Sequence, residues 1–235
     1  MQSLENILFL DVETVPEHSS YLGLDKRWKE LWDKKASYLA KNNESPQELY
    51  SRAGIYAEFG KIVCISVGYI VKNGKKLEIR IKSFAKDDEK ELLMDFCSLL
   101  NESFNTNKHF LCAHNGKEFD FPFLCRRILV NKIKMPFVLK LAGKKPWEIR
   151  HIDTMHLWKF GDFKAYTSLD LLAAVFDVPS PKNDIDGSMV FDIYYTEKDL
   201  PRIVSYCQKD VVTLASIYLR MNNLPALTND QIIEV

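Results

Sequence analysis

Hydrophobic and polar positions change rhythm several times along the 235 residues. The chain opens on Ile7-Leu8-Phe9-Leu10, an unbroken apolar run that predicts a short buried strand over residues 6–11. From 17 to 59 the character shifts to charged and aromatic residues, with Trp28, Leu31, Trp32 and Leu39 spaced as one helix face. Ser45-Pro46-Gln47-Glu48 then joins a capping box to a proline at the first helical position, which predicts a second helix. Residues 17–59 are therefore expected to form a helical insertion after the first strand, within a single domain over 1–235.

Further on, Lys61–Val71 and Lys76–Phe84 are β-branched and alternating. They are joined by Lys72-Asn73-Gly74-Lys75, whose Asn-Gly predicts a tight type I′ hairpin. Asp87 or Asp88 can cap a helix in which Leu92, Leu93, Phe96, Leu99 and Leu100 fall at helical spacing. Phe110–Ala113 predicts a strand, followed by a helix from Phe121 that tolerates Pro122 in its first turn. Ile149–Asp153 reads as a strand, Thr167–Phe176 as a helix capped by Thr167 or Ser168, and Asp199–Met221 as a long terminal helix. Hairpin strands followed by alternating strands and helices predict an α/β fold, a mixed β-sheet flanked by helices.

Composition adds limits. Apolar residues, 46% of the chain, suffice for a substantial core. The zero formal charge gives no global field toward nucleic acid, although local patches steer phosphate on neutral proteins too. Cys64, Cys97, Cys112, Cys125 and Cys207 are scattered without a Cys-x-x-Cys pair, as expected of buried free thiols in a reducing compartment, the cytoplasm. No basic, apolar leader opens the chain and no apolar run reaches the ~18 residues of a membrane span, so no membrane partner is expected.

The candidate chemistry lies in three separated acidic blocks: Asp11 with Glu13, then Asp120, then Asp210, with Tyr206 one helical turn before the last. Each piece alone is unspecific. Asp-x-Glu is expected roughly once by chance in a chain of this length, and an aspartate at a helix start is ordinarily a cap. Context adds information, because Asp11 and Glu13 alternate along a strand and share a face, while Tyr206 and Asp210 stand at i and i+4 on one helix face. Four carboxylates in one cleft could not all stay ionised without cations, and such a cage suits Mg²⁺ or Mn²⁺, hard ions that take oxygen ligands.

In order and content these blocks resemble the three motifs of the DEDD 3′–5′ exonuclease superfamily, which has an RNase H-like fold. Leu10-Asp11-Val12-Glu13-Thr14 resembles the first motif, His114-Asn115-Gly116 through Phe119-Asp120-Phe121-Pro122-Phe123-Leu124 the second, and Tyr206 to Asp210 the third. The tyrosine marks the tyrosine subgroup; the histidine subgroup would need histidine where Ser205 stands. The chain is most similar to stand-alone exonucleases related to the exonuclease domain of family B DNA polymerases. Phe59-Gly60-Lys61-Ile62-Val63, His151-Ile152-Asp153-Thr154 and Asp184-Ile185-Asp186-Gly187-Ser188 fit that pattern as well.

The resemblance implies a metal-dependent 3′–5′ exonuclease acting on single-stranded 3′ ends, DNA before RNA, with two divalent ions, Mg²⁺ or Mn²⁺. By that likeness Asp11 bridges the ions, Glu13 and Asp210 complete the tighter site, and Asp120 holds the second through water. Tyr206 orients the attacking water, and Glu13 with the backbone near Thr14 and Val15 meets the terminal 3′-hydroxyl. Asn115 and Phe119 are candidates for contacting the last nucleotides, although Phe119 reads equally as core. A polymerase or repair partner fits the same likeness. The competing class is a catalytically silent nucleic-acid-binding or partner-binding module of the same fold, which predicts a missing acid. Asp153 and Asp170 read as a strand end and a helix first turn, and His114 as a structural hydrogen bonder. Trp28, Trp32 and Tyr38 read as the buried face of the insertion rather than a platform for single strands, and Lys140, Lys144, Lys145 and Arg150 as a solvated loop rather than phosphate contacts.

Overall fold

The opening apolar run continues further than its hydrophobicity predicts: β1 spans Ile7–Pro16 and carries Asp11 and Glu13 in its middle. In the computed structural model, which describes residues 3–41, 43–74, 76–162, 164, 166–179 and 185–235, β1 runs between β2 (Gly60–Asn73) and β4 (Phe110–Ala113). Both faces of such a strand are covered, which is why its apolar residues are continuous. Leu8, Leu10 and Val12 join one core, and Ile7 and Phe9 the other. Backbone pairing with β2 persists past the acids, through Asp11 opposite Ser66 to Pro16 opposite Gly60.

β3 (Lys76–Ala85) pairs antiparallel with β2 as far as Asn73 opposite Lys76, so the hairpin forms but Asn73 is a paired strand residue and not, as expected, the first residue of the two-residue loop. Gly74 takes φ 63°, the left-handed conformation glycine supplies; Lys75 lies outside the described residues. β5 is only Ile152–Asp153, shorter than Ile149–Asp153, and pairs parallel with β4. A strand with no forewarning in the pattern, β6 (Ile232–Glu234), pairs parallel with β3. The sheet order is β5-β4-β1-β2-β3-β6, a mixed sheet as expected.

Helices cover both faces. α1 (Lys26–Ser37), capped by Asp25, lies between β1 and β2 in the chain. Trp32 is fully buried there, whereas Trp28 and Leu31 keep 40% and 44% of their surface exposed, so the expected helix face is only partly used. Tyr38 is also exposed. The capping box forms, Ser45 N–H and Oγ to Glu48 Oε2 at 2.7 Å each, but it starts a 3-10 helix over Glu48–Ile55 instead of an α-helix. The tight turn lets Gly54 approach the backbone of Val15, where a Cβ would come within 3.0 Å. Asp88 caps α2 (Glu89–Ser103), and α3 (Asp120–Val130) begins one residue before Phe121. α4 (Thr154–Lys159) was not expected; α5 (Leu169–Val175) has Ser168 as its cap. α6 (Val190–Asp192) runs into a π turn over Ile193–Glu197, and α7 (Leu200–Met221) is capped by Asp199.

α2 and α3 pack on one face of the sheet, and α7 on the other. Gly68 in β2 lies under α7: a Cβ there would come within 2.9 Å of Val211 Cγ1 and the ends of Ile79 and Ile81. Its missing side chain lets the helix lie close.

Candidate active site

α7 runs opposite to β1 across the face that carries Asp11 and Glu13. Cys207 sits over Asp11, Sγ to Oδ2 at 3.3 Å, while Tyr218 meets Phe9 further back with ring centroids 5.7 Å apart. This antiparallel crossing brings the next turn of α7, with Asp210, toward the two strand acids.

Pairing of β4 with β1 ends at Phe9 opposite Cys112, so β1 is open on that edge from Asp11 onward. Both acids thus lie beyond the carboxyl end of β4, where open α/β sheets place ligands. A bulge follows at once: Glu13 faces Cys64 and Thr14 faces Ile62, leaving Val63 as the extra residue. Bulges re-aim side chains beside sites of this kind.

The open edge is covered by the loop from 114 to 119. Asn115 takes φ 61° and donates its N–H to Asp153 Oδ1 at 3.0 Å; Lys117 N–H donates to Oδ2 at 3.0 Å. A Cβ on Gly116 would stand 2.4 Å from Ala113 Cβ, so the loop can fold back only with glycine there. His114 ties the loop to its neighbours through Nδ1 and Thr154 Oγ1 and through Nε2 and the Thr167 carbonyl, both at 2.8 Å. It is the structural hydrogen bonder expected. The loop delivers Asp120 to the first turn of α3, where unpaired N–H groups favour a carboxylate, and Asp120 also accepts from the Val12 N–H.

Asp11, Glu13, Asp120 and Asp210 are thereby gathered from three distant segments. Glu13 and Asp120 are buried, and Asp11 and Asp210 keep a partly exposed edge. Burial, then repulsion from Asp120 and Asp210, pushes the Asp11 carboxyl well above the usual range. Burial, then Asp11 and Asp210, does the same to Glu13. Burial raises Asp120 to about 7, against its own backbone hydrogen bond and with Asp153 adding to the rise. Asp210 is raised to about 6 by burial, opposed by the hydrogen bond from Tyr206 and reinforced by Asp170. Burial and then Asp210 push the Tyr206 phenol upward, so it keeps its proton.

None of the four acids makes an ion pair among the described residues. Crowded, desolvated carboxylate oxygens without a protein cation are the donor set a hard divalent ion requires. The tightest group differs from expectation, however. Donor atoms of Asp11, Glu13 and Cys207 lie within 4.8 Å of one another, whereas Asp120 and Asp210 stand outside that group. Cys207 was legible only as a buried thiol. Its place between Tyr206 and Asp210 on one helix face was the available signal.

The remaining candidates are less uniform. Thr14 is half-buried, and the Val15 side chain is fully buried, leaving its backbone alone to meet a ligand. Asn115 is half-buried and its backbone is committed to the loop. Phe119 is half-buried against Phe123, with centroids 5.4 Å apart, so the ring serves the core and keeps one edge free. Asp153 caps α4 and anchors the 114–119 loop. Asp170 stands in the first turn of α5 and is felt by Asp210. Of the block 184–188, Asp184 lies outside the described residues.

Comparison with known proteins now adds a family. Residues 55–233 match the family described as predicted 3′–5′ exonucleases related to the exonuclease domain of PolB. Among solved structures, the family B DNA polymerase from the hyperthermophilic archaeon Pyrobaculum calidifontis aligns at 15% identity and a TM-score of 0.51, covering 92% of this chain. The chain spans 25% of that polymerase's length. The RNase domain of the yeast Pop2 protein aligns at 12% identity and a TM-score of 0.46, covering 93% of this chain and 77% of the other. No curated protein matches. The sheet and its flanking helices have the RNase H-like exonuclease fold, and the chain belongs to the family of predicted 3′–5′ exonucleases related to the exonuclease domain of family B DNA polymerases.

Proposed function

We propose that the protein is a metal-dependent 3′–5′ exonuclease acting on single-stranded ends, preferring DNA and accepting RNA, and releasing nucleoside 5′-monophosphates. The observation that carries this reading is the meeting of four acids from three segments, all with raised pKa values and none with a protein cation among the described residues. Asp11, Glu13, Asp120 and Asp210 are the residues to hold divalent ions, which when bound supply positive charge for the attacking and leaving oxygens of an in-line displacement. In that displacement water attacks the phosphorus of the terminal nucleotide, the bond from phosphorus to the neighbouring 3′-oxygen breaks, and the shortened strand leaves with a 3′-hydroxyl.

The chain's own groups divide the remaining work. Tyr206 donates to Asp210 and holds its proton, so it orients the attacking water rather than deprotonating it. Glu13 and the backbone of Thr14 and Val15 receive the terminal 3′-hydroxyl, which confines cleavage to chain ends. The free edge of Phe119 offers a stacking surface for a terminal base, a contact that tolerates any sequence. The five cysteines are free thiols, which supports a reducing compartment such as the cytoplasm.

The test compares matched 3′- and 5′-labelled single-stranded DNA and RNA with Mn²⁺, Mg²⁺ or chelator, for wild type and Asp11→Ala. We expect a metal-dependent ladder shortening from the 3′ end and missing in the variant. Strand binding without cleavage under every condition would instead identify a silent binding module.

A further inference from the structure

Beside the 114–119 loop a second cleft, of about 820 Å³, runs along the free edge of β5 between α4 and the end of α7. Its near end is formed by Asp153 and Lys117, the residues that tie and continue the loop carrying Asp120. Arg220 lines it as well. Arg220 follows Asp210 by ten residues on α7, about 15 Å along the helix axis. None of the four acids lines the cleft; Asp153 and Lys117 join it to the loop that carries Asp120, and Arg220 lies further along α7.

Its lining is strongly one-sided in charge. Lys117, Arg150 and Arg220 line it together with one acid, Asp153. Asp153 is already engaged, since its oxygens accept the N–H groups of Asn115, Lys117 and His156. Lys117, His156 and Arg220 form no ion pair among the described residues. Arg150 stacks on Phe110, 4.6 Å from its centroid, and donates to the Asn107 carbonyl.

The lining also holds aromatic rings, Phe160 exposed and Trp158 packed against the small core beneath α5. Phe160 ends α4 at φ 43°, a conformation that is unusual for a bulky residue. The ring is 92% exposed, so burial does not repay that conformation. Trp158, half-buried against Phe176, lines the same wall.

We propose that this cleft is a binding track for the single strand on the 5′ side of the scissile bond. The proposal rests on the nuclease reading above. Cations and an exposed aromatic ring sharing one groove hold phosphates and stack a base without regard to sequence. A cationic track beside the acidic site would keep the strand bound between cuts.

The experiment measures steady-state hydrolysis by the full chain with Mn²⁺, on a dinucleotide and on a ~15-nucleotide single strand. It uses wild type, Arg220→Ala and Phe160→Ala, each first checked for an unchanged melting curve. The dinucleotide is too short to reach the track and serves as the internal control. On the long strand KM should rise about tenfold for Phe160→Ala with kcat held. For Arg220→Ala the slope of log KM against log salt should become shallower by about 0.7, one phosphate contact on a single strand. Unchanged KM and slope on the long strand would overturn the track, as would equal losses on both substrates. If wild type cuts neither substrate, the nuclease reading fails, and anisotropy of labelled single-stranded DNA decides the track separately. Binding weakened in both variants would keep it, and binding absent from wild type or equal in all three proteins would remove it.

Discussion

Asp120 and Asp210 hold protons up to about pH 7 and about pH 6, because burial favours the neutral acid. An ordinary aspartate releases its proton near 3.8. Between that value and 7 the folded state binds a proton that the unfolded chain has lost. The stability of the metal-free protein should therefore fall as pH rises through this window. His151, kept neutral by burial with its pKa lowered to about 4, acts in the opposite sense, so the useful quantity is a difference between variants. Thermal melts from about pH 5 to about pH 8 should fall less steeply for Asp120→Asn than for wild type; identical profiles would mean that Asp120 does not titrate there. An incoming ion must displace the same protons, so Mn²⁺ affinity by calorimetry should rise from about pH 6 to about pH 8. Tyr206→Phe removes a hydroxyl but no ligand. It should lower kcat about a hundredfold and leave Mn²⁺ binding intact, whereas Asp11→Ala should lose both.

At the scale of elements, the two helices on the face opposite α7 are joined by a buried ion network. Arg127 of α3 grips Glu89 of α2 with Nη2 to Oε2 at 2.6 Å, reaches the Ala57 carbonyl at 2.9 Å and meets Glu17 at 3.0 Å. Glu89 also accepts the Ile62 N–H at 2.7 Å. The Arg127–Glu89 pair thus links α3, α2, β2 and both ends of the segment between β1 and β2. Arg127→Ala leaves Glu89 buried without its cation and should cost about 3–5 kcal/mol in urea unfolding. The double variant Arg127→Met with Glu89→Leu should recover most of that loss; no recovery would point to the Glu17 and Ala57 contacts instead. Sequence reading missed this network because Arg127 stands 38 residues from Glu89. By contrast the caps at Asp88 and Ser168 were legible to within one residue, since each side chain bonds an N–H three residues on, whereas Asp199 was expected inside the terminal helix and caps it instead.

For the molecule as a whole, the acids cluster at the end where β4 leaves β1 unpaired, and α2, α3 and α7 pack on the two faces of the sheet. The folded state carries electrostatic repulsion there that an unfolded chain would not. A divalent ion binding only the folded state should stabilise it by about 2.7 kcal/mol at a hundred times its Kd. The melting temperature should accordingly rise with Mn²⁺, return with chelator and be indifferent to Mn²⁺ in Asp11→Ala. Among the described residues no helix is long and apolar enough to cross a membrane.

Features set by a few adjacent residues were determined by the sequence alone. The caps, the hairpin around Gly74, the apolar runs of β1 and β4 and the three acidic blocks depend on local sterics, local hydrogen bonds and burial tendency. Which distant atoms meet was decided only by the tertiary structure. The length of β1, the added strand β6, the 3-10 form of Glu48–Ile55, the thiol of Cys207 against Asp11 and the anchoring of the loop by Asp153 all follow from strand register and helix crossing. Register and crossing arise from the packing of whole faces against one another. No single stretch of sequence contains that information, because the energy that selects them is shared among side chains brought together only by folding.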